Sequence, residues 1–153
     1  MLVVAPLDRG ALSIVAGRCA RPAGRFVVAA IDDDTAPGAV LAHARAEAAG
    51  RGVPLRVVHV WTNRRRGMAA ADHLTAECIA DHLPLDDPAT VERQILHDTD
   101  PARALLTLSR QAVLMVVAAK PDGSLGGTVR RLAGHTHCPL AIVASPPVTR
   151  GQW

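Results

Sequence analysis

Tyrosine is absent, and Phe26, Trp61 and Trp153 are the only aromatic residues, 2% of the chain. Single-stranded nucleic acid is held largely by stacking bases on aromatic faces, so a nucleic-acid partner is not expected. Cysteine is scarce too. Cys19, Cys78 and Cys138 are odd in number and unrelated in spacing, which argues against a secreted disulfide framework and for a reducing, cytoplasmic setting. Lysine occurs once, as Lys120, so the net charge of +3 is carried by arginine. With alanine and arginine abundant everywhere, this reads as a compositional bias rather than a phosphate-binding face. No apolar run approaches the length of a bilayer span. The apolar start Met1 to Pro6 is cut off by Asp8 and Arg9 with no basic residue ahead of it, so neither a membrane helix nor a signal peptide is expected.

What is present is the material of a packed core. The chain has 153 residues, 49% hydrophobic and 20% charged, the size of one domain that buries roughly two-thirds of its unfolded surface. Short branched apolar segments recur at Phe26 to Ile31, Leu55 to Trp61, Thr90 to Leu96, Val113 to Ala119 and Leu140 to Ala144, with helical stretches between them. Such alternation predicts an α/β fold, a doubly wound parallel sheet with helices on both faces. Phe26 to Ile31 and Val113 to Ala119 are apolar without a break, as central strands are. Thr90 to Leu96 carries Glu92, Arg93 and Gln94 and is expected at an edge.

Helix ends are marked by local chemistry. Pro37 suits a first turn, Val40, Leu41, Ala44 and Ala48 form an inward stripe, and Gly50 and Gly52 close that helix. Met68 to Leu83 reads as a second helix, bounded by Pro84. Asp100 followed by Pro101 is an N-cap with proline at the first helical position, leading into Leu105, Leu106, Leu108 and Ala112. A fourth helix is expected from about Gly126 to Thr136, with Val129, Leu132 and Ala133 inward, and Pro139 opens the last strand.

Residues 1 to 24 stand outside this rhythm, with one apolar run noted at Leu2 to Ala5. The stretch MLVVAPLDRGAL matches LMVVAAKPDGSL at 114 to 125 through Val3, Val4, Ala5, Gly10 and Leu12 at a constant offset. It is either a chance match or the remnant of a preceding copy of the domain, ending in the linker Arg21-Pro22-Ala23-Gly24.

The segment RFVVAAIDDDTAPGAVLAHARAEAAGRGVPLRVVHVW resembles the opening of a universal stress protein domain. HDTDPARALLTLSRQAVLMVVAA resembles that family's third connection and fourth strand, and GGTVRRLAGHTHCPLAIVAS its last helix and strand. The resemblance implies an adenine nucleotide alpha hydrolase-like fold: an open five-stranded parallel sheet in the order 3-2-1-4-5, over residues 25 to 146, with an extra segment before it and a tail at 147 to 153. It also implies a homodimer joined through the Leu140 to Ala144 edge. That edge, apolar throughout, is expected to be covered either by a second copy or by Leu2 to Ala5.

Open α/β sheets bind ligands beyond the carboxyl ends of their strands, where strand order reverses. In the nucleotide-binding branch of the family, the positions resembling Asp32 and Val60 hold adenosine. The phosphates lie on a loop of pattern G-x2-G-x9-G-[S/T]. The present chain departs from that pattern. Ala118 stands where the first glycine is expected, the second falls near Pro121, and nine positions separate Ala118 from Gly127, so the loop is about four or five residues short of a cradle that needs convergent N–H groups. The closing pair is Gly127-Thr128 or Gly126-Gly127, with Val129 after it. Asp32-Asp33-Asp34 adds carboxylates beside a pocket for polyphosphate, which Lys120, Arg130 and Arg131 would offset. The reading is a regulatory or interaction module, with no enzymatic activity and with weak or no ATP binding. Two alternatives stand beside it: an adenine-nucleotide sensor taking ATP or AMP, and an enzyme of a related group such as a nucleotidyl transferase. The latter lacks its histidine-rich phosphate motif after the first strand.

Other clusters read more plainly. His73, Glu77 and Asp81 share a helical stripe, as do Cys78 and His82, a spacing compatible with metal but common on solvated helices. His135, His137 and Cys138 read as a helix end and the start of a buried strand. Arg64-Arg65-Arg66 reads as a solvated loop. Ser13, Ser109, Ser124 and Ser145 lie in no nucleophile elbow, and neither a Walker loop nor G-x-G-x-x-G occurs.

Overall fold

Valine, isoleucine and alanine in unbroken runs form strands that can be covered on both faces, and these runs build the centre of the sheet. In the computed structural model, residues 2–3, 12–15, 25–32, 37–61, 67–83, 90–120 and 122–144 are described. The strands are β1 (Leu2–Val3), β2 (Leu12–Val15), β3 (Phe26–Ile31), β4 (Leu55–Trp61), β5 (Val91–His97), β6 (Ala112–Ala118) and β7 (Leu140–Val143). The helices are α1 (Gly38–Arg51), α2 (Met68–His82), α3 (Pro101–Leu108) and α4 (Gly127–Leu132).

The sheet runs β1-β2-β7-β6-β3-β4-β5. Its five parallel strands, β5-β4-β3-β6-β7, have the predicted order 3-2-1-4-5. Val28 stands opposite Met115 between the two central strands, and β5 pairs only with β4 among the described residues. Polar Glu92, Arg93 and Gln94 therefore sit at an edge. One feature of the sheet differs from expectation. The edge at β7 is covered by Leu12–Val15, antiparallel to it, with Leu2–Val3 one strand further out. The N-terminal segment thus has a second strand-forming run that periodicity over residues 25 to 146 did not reveal. The linker at 21 to 24 and the tail at 147 to 153 lie outside the described residues.

Each face of the sheet has its own core. Val27, Ala29, Val57 and Val116 pack with Val40, Leu41, Ala44 and Ala48 of α1 and with Ile79 of α2. Val28, Val58, Met115 and Val117 pack with Leu105 and Leu108 of α3 and Val129 and Leu132 of α4. α1 ends where Gly52 adopts φ +65°, a left-handed cap that a side chain would strain. α3 begins as read: Pro101 is its first residue and the Asp100 carboxylate accepts from Arg103 N–H at 3.3 Å. Ala112, expected on that helix, begins β6 instead, because the chain leaves the helix at Ser109. Leu106 is half-buried. α4 is shorter than its apolar spacing suggests. Ala133 turns to ψ 120° and the helix stops at Leu132, so Thr136 lies beyond it.

Candidate functional site

The neighbouring central strands β3 and β6 send their chains in opposite directions across the sheet. β3 continues through α1 to β4, and β6 continues through α4 to β7. Their carboxyl ends therefore diverge and leave a crevice, the usual ligand position of an open α/β sheet. Asp32 follows β3 and is exposed, and Val60 lies near the end of β4, paired in register with Leu96. Ala118 ends β6. Gly126, Gly127 and Thr128 lie at the start of α4 on the same side. All these predicted site residues thus fall at the carboxyl end of the sheet. Val129 is the exception in character, because its side chain is buried in the core beneath α4. Asp33, Asp34, Pro121 and Arg64 to Arg66 lie outside the described residues.

The loop from β6 to α4 closes on itself. Ala119 N–H donates to Val143 C=O at 2.9 Å, tying the loop's start to β7. Lys120 N–H donates to Ser124 C=O at 2.9 Å, and Gly123 N–H donates to Lys120 C=O at 2.8 Å. Gly123 makes that turn with φ +84°, a conformation in which residues with a side chain are strained. The Asp122 carboxylate accepts from Ser124 N–H at 2.9 Å and from the Ser124 hydroxyl at 2.6 Å. These two bonds, the hydroxyl first, hold its carboxyl below the usual range, with Lys120 adding attraction. Asp122 is therefore a fixed negative charge in the loop.

The chemical consequence concerns donors. A phosphate cradle works by aiming several backbone N–H groups at one anion, and here those of Lys120, Gly123 and Ser124 are already bonded within the chain. α4 starts without a side-chain cap, and its first helical bond runs from Arg130 N–H to Gly126 C=O at 3.0 Å. The N–H groups of Gly127, Thr128 and Val129 precede that bond and have no acceptor within the helix. A β-carbon on Gly127 would meet nothing within 4 Å, and one on Gly126 would meet only Lys120 Cε, at 3.6 Å. Packing does not demand either glycine.

Of the three cations named as counter-charges, Arg131 is committed elsewhere. Its Nη1 donates to Asp100 Oδ1 at 2.6 Å, joining α4 to the start of α3. Beside it, Arg103 donates to both Asp98 oxygens, and Asp100 N–H donates to Asp98 Oδ1 at 2.9 Å. Asp98 is held below its ordinary pKa chiefly by that backbone bond, and Asp100 chiefly by Arg131. Lys120 and Arg130 form no ion pair among the described residues.

The remaining clusters act locally. His73 Nε2 lies 3.1 Å from the Glu77 carboxylate, His82 Nδ1 contacts Cys78 C=O at 2.9 Å, and among the described residues no group is placed to hold a metal. His137 Nε2 accepts from Arg110 Nε at 3.3 Å, and Cys138 is buried at the entry to β7. No helix among the described residues is long and apolar enough to cross a membrane.

Comparison with known proteins bears on this geometry. The family model described as the universal stress protein family matches residues 25–144. A universal stress protein from Archaeoglobus fulgidus superposes with a TM-score of 0.60 at 23% identity, over 77% of this chain and 97% of that one. The universal stress protein of that organism in complex with dAMP gives 0.61 at 22% identity, over 79% and 98%. A universal stress protein in complex with cAMP gives 0.60 at 18% identity, over 80% and 98%. No match is found among curated proteins.

Proposed function

The chain belongs to the universal stress protein family, and from that premise we propose that it is a regulatory or interaction module of a stress response whose crevice binds ATP weakly or not at all. One observation carries the reading: the β6–α4 loop spends the N–H groups of Lys120, Gly123 and Ser124 on itself and sets the Asp122 carboxylate among them. Each charge-assisted bond from such a donor is worth about 1.5–3 kcal/mol. Losing two costs about 3 kcal/mol or more, over a hundredfold in affinity. A micromolar triphosphate site becomes one that stays empty in most assays. We place the protein in the cytoplasm on its odd cysteine count, and we read it as non-enzymatic because no nucleophile or phosphate-transfer motif stands in its sequence.

A second reading is supported by the relatives solved with dAMP and cAMP. An adenosine end held near Asp32 and Val60, with one phosphate at Gly127 and Thr128, asks less of the loop than a triphosphate does. AMP then binds about as well as ATP. Nucleotide identification in protein purified without added ligand tests both readings. The first expects no nucleotide, the second a substoichiometric monophosphate. ATP recovered at near one per chain contradicts both.

A further inference from the structure

The amino ends of β3, β6 and β7 carry cations that the crevice, at the opposite end of the sheet, does not use. Arg25 N–H donates to Gln111 C=O at 2.8 Å, which sets Arg25 against the turn that holds Arg110. Arg110 Nε in turn donates to His137 Nε2 at 3.3 Å. All three residues are exposed. Neither arginine forms an ion pair among the described residues, whereas the carboxylates of Glu47 and Glu92 are taken by Arg51 and Arg56.

His137 holds Arg110 in a way that a carboxylate would not. A ring nitrogen that accepts a hydrogen bond carries no proton, so the contact fixes the guanidinium without cancelling its charge. The imidazole is itself anchored. His137 N–H donates to the Ser109 hydroxyl at 3.0 Å, that hydroxyl donates to Leu106 C=O of α3 at 2.6 Å, and Ser109 is buried. With Nε engaged, the other edge of the guanidinium remains, and its two Nη groups make no hydrogen bond among the described residues. Such an edge takes a carboxylate through two parallel N–H···O bonds.

We propose that Arg110, oriented by His137 and flanked by Arg25, is a docking point for an acidic segment of a partner protein, at the end of the sheet opposite the crevice and independent of what the crevice binds. Arg110 meets the carboxylate, Arg25 adds a second charge beside it, and His137 is a positioning residue. A nucleic acid fits this surface less well, because bases need an open aromatic face. Phe26, the nearby aromatic, is buried and covered by the Arg56 guanidinium at 3.9 Å.

Fluorescence anisotropy of a labelled decapeptide of alternating glutamate and glycine, titrated with the full chain at low salt, tests the proposal. The unaltered chain is expected to bind it, and added salt to weaken the binding. Arg110→Lys keeps the charge but loses the fork, and is expected to weaken binding about tenfold. His137→Ala is expected to cost about fivefold, and His137→Gln, whose amide oxygen accepts from Nε in the same place, to restore most of that loss. Arg51→Ala removes a whole charge from an arginine already paired with Glu47 and is expected to cost about twofold at most. The substituted side chains are exposed and the Ser109 bond is to the His137 backbone, so every variant is expected to keep the circular dichroism of the parent. Four results overturn the proposal. They are a peptide left unbound at about millimolar chain, an Arg51→Ala loss as large as that of Arg110→Lys, a His137→Gln variant as weak as His137→Ala, and a thymidine oligonucleotide bound more tightly than the peptide with the same dependence on Arg110.

Discussion

The turns that launch α3 and α4 leave the same end of the sheet and are both built on aspartate, yet they spend it in opposite ways. Before α3, Asp98 and Asp100 bond the helix start, Arg103 and, across a helix pair, Arg131. Before α4, Asp122 bonds Ser124, two residues away, and no other side chain or backbone group among the described residues. The first arrangement makes scaffold: a capped helix fastened to its neighbour. The second ties the loop to itself and leaves its helix without a side-chain cap. One residue type with the same lowered pKa thus joins elements in one turn and closes the loop on itself in the other. What decides is whether its bonds reach another element.

If α4 is held by its buried side and not by its start, the largest effect comes from Leu132→Ala. Leu132 is fully buried, and the truncation is expected to cost about 2–5 kcal/mol in urea unfolding. A loss no greater than that of Asp122→Ala would break the contrast. Next, Asp100→Ala is expected to lower the urea midpoint measurably, since it removes both a cap and the Arg131 contact, while Asp122→Ala leaves the midpoint nearly unchanged. Equal losses would show that the two turns do the same work.

Acid sharpens the comparison. Asp98 and Asp100 have folded-state pKa values below their ordinary ones, so their stabilisation is present above the unfolded value near 3.9 and fades as pH falls through the folded values. Asp98→Asn with Asp100→Asn is therefore expected to flatten the fall in stability below about pH 4, followed by circular dichroism. An unchanged acid limb contradicts the assignment. The smallest effect is at the other end of α4. Thr136 Oγ1 is buried with no hydrogen-bond partner among the described residues, so Thr136→Val is expected to be neutral or to stabilise by up to about 1 kcal/mol. Clear destabilisation would reveal a partner for the hydroxyl.

How much of this was legible in the sequence follows the range of the signals. β3 and β4 have the bounds that their apolar runs indicate, and β5 and β6 differ by one residue at each end. The start of α3 was readable because Asp100-Pro101 carries its own cap. β2 escaped notice because its partner is β7, at the far end of the chain, and a four-residue run has no periodicity to separate it from loop. The end of α4 was overrun because Val129, Leu132 and Ala133 keep a helical spacing that the backbone abandons at Ala133. In the site, the departure from the family's loop pattern could be counted along the chain, whereas the loop's hydrogen-bonded closure on itself could not. The available signal was Asp122-Gly123-Ser124, a short carboxylate, a glycine and a hydroxyl that together specify a tight turn. The pairing of Arg131 with Asp100 joins two helices by tertiary packing, and no local pattern encodes it.

The central claim, that the β6–α4 loop has given up its triphosphate cradle, is tested most directly by calorimetry with magnesium-ATP and with AMP on the full chain. The account predicts no ATP binding at low micromolar concentration, and any AMP affinity about equal to that for ATP. A low-micromolar dissociation constant for ATP, tighter than for AMP and weakened by Thr128→Ala or Gly127→Val, would contradict it.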